Sequence, residues 1–143
     1  MTNPDLLITG ATLPDGSRAD ILVEGTRVSA VGQGLSSASA TKIDADGLIA
    51  LPGFVDLHTH LREPGYEQSE TVLTGTQAAA LGGFTSVFAM ANTLPVADTA
   101  GVVEQVLRLG DEAGYATVRP IGAVTKGLEG LQLAELGAMA NSR

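Results

Sequence analysis

Cysteine is absent from the 143 residues of this chain. Its absence excludes disulfide bonds, thiolate zinc sites and thiol nucleophiles. Aromatic residues make up only 3% of the sequence, so a hydrophobic core has to be built mainly from Val, Leu, Ile and Ala. With 44% hydrophobic residues, the chain is long enough for a compact globular fold with such a core.

Basic residues are also scarce. The chain has eight Lys and Arg residues against sixteen Asp and Glu, which gives a formal net charge of −8 at pH 7. A nucleic-acid surface needs clustered Lys and Arg to neutralise phosphates, whereas the basic residues here are scattered. We therefore expect no nucleic-acid partner, and we infer no other partner from the acidic balance.

Long apolar runs are missing as well. The first ten residues lack the basic segment followed by an apolar segment that marks a secretory signal. The uncharged stretch 74–97 is interrupted by Gln, Asn, Thr, a Gly pair and Pro, whereas a membrane-spanning helix needs about 20 apolar residues. A small-residue helix followed by a buried strand explains this stretch better, so we expect a cytoplasmic protein with no membrane partner.

The first fifty residues alternate short apolar segments with turn signals. The Pro, Asp and Gly of "PDGS" favour a tight reversal, and the small polar segment 33–40 is typical of a surface loop. Four short strands are predicted, at 5–11, 19–25, 27–32 and within 41–53. We expect a small antiparallel sheet that forms a β subdomain over residues 1–52 and is too small to bury much surface alone.

The pattern changes at Pro52–Gly53, where strands begin to alternate with helices. Ser69 and Asp98 are the predicted N-caps of the first two helices. Such alternation is typical of a parallel sheet or a (β/α) barrel, and a closed eight-unit barrel needs about 250 residues. We therefore expect an α/β fold in which residues 53–143 form three βα units of an incomplete TIM-type barrel. The predicted strands are 54–60, 84–92 and 116–124, and the predicted helices are 69–83, 99–114 and 131–140.

Both histidines of the chain lie in the first of these strands, two residues apart. In a strand, residues i and i+2 point to the same face, so His58 and His60 are predicted to project side by side. They lie at the carboxyl end of the strand, where active sites of parallel α/β folds collect. Two imidazoles can chelate one divalent cation, and zinc suits nitrogen ligands. Two hydrogen-bonded structural histidines remain the alternative.

Longer motifs around the histidine pair carry a family resemblance. The stretch "PGFVDLHTHLREPG" resembles the metal-binding signature of the amidohydrolase superfamily, and specifically that of bacterial class I dihydroorotases. The resemblance continues through "SETVLTGTQAAALGGFT", "MANT" and "PIGAVTKGLEGLQLAELGAM", and it covers essentially the whole chain. It implies the first part of a (β/α)8 metallo-dependent hydrolase barrel, preceded by the small β subdomain.

The resemblance also implies roles for four residues. His58 and His60 match two zinc ligands, and His60 additionally borders the substrate. Arg62, expected on the same strand face, matches an arginine that holds the substrate carboxylate, as a guanidinium fork can. Asn92 matches a substrate-binding asparagine, and a turn residue before "TLP" is the alternative. The remaining ligands and the general-base aspartate are expected beyond Arg143, so no catalytic residue is expected within this chain.

The reaction that the resemblance implies is the reversible cyclisation of N-carbamoyl-L-aspartate to (S)-dihydroorotate in pyrimidine biosynthesis, with one or two Zn²⁺ per complete site. The expected full-length protein forms a homodimer or associates with aspartate transcarbamoylase. Allantoinase, hydantoinase and a non-catalytic dihydroorotase-like subunit of the transcarbamoylase are the alternatives. We expect the chain to be a truncated fragment that is inactive alone and self-associates through its open sheet edges.

Other charged residues near the histidines have simpler interpretations. Lys126 follows the third strand and is expected to be a solvated loop residue rather than a carboxylated metal ligand. Asp56 is expected either to orient an imidazole or to be satisfied by backbone groups. Glu63, Glu67 and Glu70 are expected to be loop and helix-start charges.

Overall fold

The computed structural model describes residues 4–142 of the chain. They belong to two compact units, with the boundary between Pro52 and Gly53, and each unit is described by itself. None of the helices formed by residues 4–142 has the length and apolar character needed to cross a membrane.

The first unit is a four-stranded sheet. Its strands are β1 (Leu6–Thr12), β2 (Arg18–Glu24), β3 (Arg27–Gly32) and β4 (Thr41–Asp44), in the order β3-β2-β1-β4. The first three strands pair antiparallel, but β4 runs parallel to β1. The prediction of a purely antiparallel sheet is therefore wrong, and the sheet is mixed.

The return loop after β3 explains the parallel pair. β3 runs in the direction of β1, so segment 33–40 has to carry the chain back before β4 can start beside β1, where Thr41 pairs with Leu6. Asp20 anchors this crossing, because its two carboxylate oxygens accept hydrogen bonds from the Gly10 and Leu35 N–H groups, at 2.9 and 3.1 Å. These hydrogen bonds lower the pKa of Asp20, and the bond from the Gly10 N–H has the largest effect.

The second unit is a three-stranded parallel sheet with helices between its strands. Its strands are β5 (Phe54–Thr59), β6 (Phe84–Ala89) and β7 (Thr117–Pro120), in that order across the sheet. Helix α1 (Val72–Leu81) connects β5 to β6, and α2 (Ala100–Ala113) connects β6 to β7. The α/β class predicted from the alternation is confirmed, while closure into a barrel stays a prediction.

The core of this unit is made of aliphatic residues, as the scarcity of aromatics requires. One buried cluster joins the sheet to α1 and α2 and comprises Leu61, Val72, Val87, Ala89, Val106 and Val118. A second, under the loops after β6 and β7, comprises Ala91, Ala97, Val102, Val103 and Ala123. Close packing depends on Gly110 of α2, where an added Cβ would lie 2.6 Å from the Val118 Cβ. The second cluster fixes the loops at the carboxyl end of the sheet.

The helix starts differ from the predicted ones. Thr71, and not Ser69, caps α1 in a capping box with Thr74, because the Thr71 hydroxyl accepts the Thr74 N–H at 3.1 Å. Thr99 is the N-cap residue of α2, while the predicted cap, Asp98, accepts the Gly127 N–H at 2.9 Å instead.

The third helix is also shorter than predicted. Helix α3 covers only Leu136–Ala140, and a short 3₁₀ turn occupies Lys126–Leu128. Leu133 forms an isolated antiparallel bridge with Thr125. The first part of the predicted helix therefore pairs with a nearby backbone segment and is not helical. The apolar pattern of 131–140 did not reveal this competing contact.

Candidate metal and substrate site

The two histidines lie where β5 ends. His58 is the second-last residue of the strand, and His60 directly follows the final strand residue, Thr59. Their ring centroids are 5.1 Å apart, with the rings edge to face at 64°. The structure therefore brings the two imidazoles together, as the i, i+2 spacing predicts. Asp56 accepts the backbone N–H of His58 at 2.9 Å, so its carboxylate is satisfied by backbone.

Asn92 joins this pair from the loop after β6. Its Oδ1 lies 2.8 Å from Nδ1 of His60. The two loops are tied by backbone hydrogen bonds, because Met90 N–H donates to the Thr59 carbonyl at 2.9 Å. Two residues 32 positions apart in sequence are thus brought together by the parallel pairing of β5 with β6.

These residues fit part of a metal site. An amide oxygen facing Nδ1 of His60 leaves Nε2 as the nitrogen available to a cation. Within residues 4–142, no cluster of three or more His, Asp or Glu side chains could hold a metal ion. The described residues therefore offer two nitrogen ligands of the kind that zinc binds, but not a complete coordination shell.

Arg62 lies in the loop that follows the histidines. Its φ is +61°, in the left-handed region that non-glycine residues rarely adopt, and its carbonyl accepts the Tyr66 N–H at 2.9 Å. Because β5 ends at Thr59, the strand alternation does not extend to Arg62. The loop sets the direction of the half-buried Arg62 side chain, and its place on the same face as the histidines stays a prediction.

The loop of Arg62 packs tightly against the loop of Asn92. Leu94 N–H donates to the Pro64 carbonyl at 2.9 Å. Gly65 has φ +101°, and a Cβ added there would collide with the carbonyl oxygen of Leu94. The "PG" pair in the sequence indicates a turn, but this close approach between loops was missed, since nothing in the local pattern signals it.

The glutamates near the site serve the backbone. Glu63 accepts the N–H of Val72, the first residue of α1, at 2.7 Å. Glu67 accepts the Gly65 N–H at 2.8 Å, and this hydrogen bond lowers the pKa of Glu67. The predicted loop and helix-start roles of these two residues agree with the contacts. Lys126 is exposed in its 3₁₀ turn, as expected of a solvated lysine.

Comparison with known proteins decides the family. The sequence profile described as "Dihydro-orotase-like" matches residues 47–143. The chain belongs to the dihydro-orotase-like family. A protein named dihydroorotase from Leifsonia xyli subsp. xyli is 75% identical over 143 residues, which are 100% of this chain and 33% of that protein. A dihydroorotase from Streptomyces coelicolor is 68% identical over 136 residues, covering 95% of this chain and 32% of its own length.

The chain also resembles a solved structure. The L-hydantoinase (dihydropyrimidinase) from Arthrobacter aurescens superposes with a TM-score of 0.73 at 25% sequence identity, covering 87% of this chain and 28% of that one. The chain thus spans about a third of the length of the curated relatives it matches.

Proposed function

We propose that this chain is part of a dihydroorotase that interconverts N-carbamoyl-L-aspartate and (S)-dihydroorotate in pyrimidine biosynthesis. The observation that carries the proposal is the histidine pair at the end of β5, with Asn92 2.8 Å from His60, in a chain 75% identical to a relative named dihydroorotase. Residues 1–52 correspond to the β subdomain of that enzyme, and residues 53–143 to the first part of its barrel.

His58 and His60 are the proposed metal ligands. Imidazole nitrogens are ligands that Zn²⁺ binds, and one or two zinc ions are proposed per complete site. When bound, zinc makes a water molecule acidic enough to act as a nucleophile near neutral pH and polarises a carbonyl. Since two imidazoles do not complete a coordination shell, the other ligands and the general-base aspartate belong to the remaining two-thirds of the enzyme.

Arg62, Asn92 and His60 are the proposed substrate contacts. The Arg62 guanidinium can pair with the substrate carboxylate through two parallel hydrogen bonds. The Asn92 amide nitrogen adds N–H donors for the same carboxylate, and His60 borders the bound ring. These contacts orient dihydroorotate so that water can add to its ring amide carbon. The C–N bond then breaks, and the products are a carboxylate and a ureido nitrogen that has gained a proton.

A hydantoinase activity is the second candidate, because the L-hydantoinase superposes well. Dihydroorotase is favoured because the identity rises from 25% to 75% on going from that protein to the dihydroorotase relative. Hydantoins lack the carboxylate that Arg62 is proposed to hold, so Arg62→Gln should weaken dihydroorotate turnover while leaving hydantoin turnover little changed. A homodimer or an association with aspartate transcarbamoylase is proposed for the full-length enzyme.

A chimaeric enzyme tests the proposal. Residues 1–143 replace the matching third of the Leifsonia xyli relative, and hydrolysis of dihydroorotate, hydantoin and allantoin is measured. We expect dihydroorotate hydrolysis that is lost in His58→Ala and kept in Asn141→Ala, while the 143-residue chain alone is inactive. A folded chimaera that hydrolyses hydantoin or allantoin but not dihydroorotate would overturn the substrate assignment.

A further inference from the structure

We propose that Asn92 is a positioning residue that holds His60 in the Nδ1–H tautomer and thereby presents Nε2 to the metal. The importance of this tautomer for metal binding rests on the function proposed above. The tautomer itself does not, because it is a property of the chain without metal or substrate.

The chemistry of the contact sets the tautomer. The Oδ1 atom of Asn92, 2.8 Å from Nδ1 of His60, is an amide carbonyl oxygen and can only accept a hydrogen bond. Nδ1 must therefore carry the proton. A neutral imidazole has one N–H, so Nε2 keeps its lone pair, which is the form that a metal ion requires.

The backbone holds Asn92 in place for this task. On one side of it, Met90 N–H donates to the Thr59 carbonyl, and on the other Leu94 N–H donates to the Pro64 carbonyl, both at 2.9 Å. Ala91, beside it, is buried at 5% exposure and belongs to the second core cluster. The amide is thus carried by a segment that is fixed at both ends against the loop of His60.

The two histidines differ in this respect. Among residues 4–142, the hydrogen bond found at His58 involves its backbone N–H and Asp56, whereas His60 is bonded through its ring. His58 is therefore an internal reference within the same molecule.

The two polar atoms of the Asn92 amide have separate roles. Its Oδ1 faces His60, while the N–H groups of Nδ2 are the donors proposed for the substrate.

Nitrogen-15 NMR of the imidazoles tests the proposal directly. The chain has only two histidines, so the two ring systems can be assigned with His58→Ala. At mildly alkaline pH and without metal, we expect His60 to show the Nδ1–H pattern. In Asn92→Leu that pattern should shift toward Nε2–H, while Asn92→Asp, which keeps an acceptor oxygen, should retain it. Asn141→Ala is the matched control and should change neither ring.

Two results would overturn the proposal. One is an Nε2–H pattern for His60 in the unmodified chain, and the other is an unchanged His60 pattern in folded Asn92→Leu. Circular dichroism identifies any variant that has lost its fold, and Asn92→Asp then supplies the second comparison, because loss of the Nδ1–H pattern in that folded variant would also count against the proposal.

A zinc titration of the chimaeric enzyme separates this inference from the proposed function. We expect Asn92→Leu to weaken zinc binding by about 10- to 100-fold, the usual effect of removing the hydrogen-bond partner of a ligating histidine. If the Nδ1–H tautomer is found but the chimaera binds no zinc, the proposed function fails while the positioning contact stands. If zinc binds equally well with and without Asn92, the consequence proposed for metal binding fails.

Discussion

Replacing Gly65 with Ala should separate the two loops that build the candidate site. The methyl group would enter the space held by Leu94, and the φ of +101° at Gly65 is unfavourable for any residue with a Cβ. A left-handed backbone costs roughly 1–2 kcal/mol and overpacking typically another 1–3 kcal/mol, so a loss of about 2–5 kcal/mol is expected. A typical domain is stabilised by about 5–15 kcal/mol in all, so a loss of this size is readily measured.

Gly130 provides the matched control. Its φ is +76°, but an added Cβ would meet nothing within 4 Å, so Gly130→Ala should cost only the backbone contribution of roughly 1–2 kcal/mol. Urea unfolding followed by tyrosine fluorescence measures both variants, because the two tyrosines, Tyr66 and Tyr115, lie in the second unit. Equal losses of unfolding free energy for the two variants would refute the close approach at Gly65.

Two further predictions concern packing and pH. Gly110→Ala should destabilise the second unit, because the collision with Val118 costs about 1–3 kcal/mol and outweighs the gain of about 0.5–1 kcal/mol in helix propensity. Gly101→Ala, in open space on the same helix, should give only that gain. Urea unfolding compares the two variants, and equal effects on the unfolding free energy would contradict the packing at Gly110. Because hydrogen bonds lower the pKa of Asp20 in the folded state, its stabilising contribution is present above its unfolded pKa and is lost as pH falls through the folded pKa. The Gly10 and Leu35 amide NMR signals should titrate below the ordinary pKa of aspartate, and a midpoint at or above it would contradict the contact.

Strand positions and the pairing of the histidines could be predicted because they depend on local signals. Alternating apolar residues and turn residues mark β1, β2 and β3 within about one residue of their observed ends. The i, i+2 spacing places His58 beside His60 without any tertiary information. The glycines at 82–83 likewise mark the end of α1.

Features that depend on distant contacts could not be predicted in this way. The direction of β4 depends on how segment 33–40 returns. The choice of Thr71 as the N-cap of α1 depends on which hydroxyl reaches the N–H groups of the first turn. The sequence pattern continues the strand alternation as far as Arg62, but the positive φ of Arg62 is not a strand conformation. The contact of Asn92 with His60 spans 32 residues, so only the family resemblance drew attention to Asn92.

The zinc content of the chimaeric enzyme tests the central claim, that His58 and His60 are metal ligands. Elemental analysis after dialysis should find at least one zinc ion fewer per chain in His58→Ala and in His60→Ala than in the unmodified chimaera, with no change in Asn141→Ala. Unchanged zinc content in both folded histidine variants would contradict the claim and leave the pair as structural residues at the end of β5.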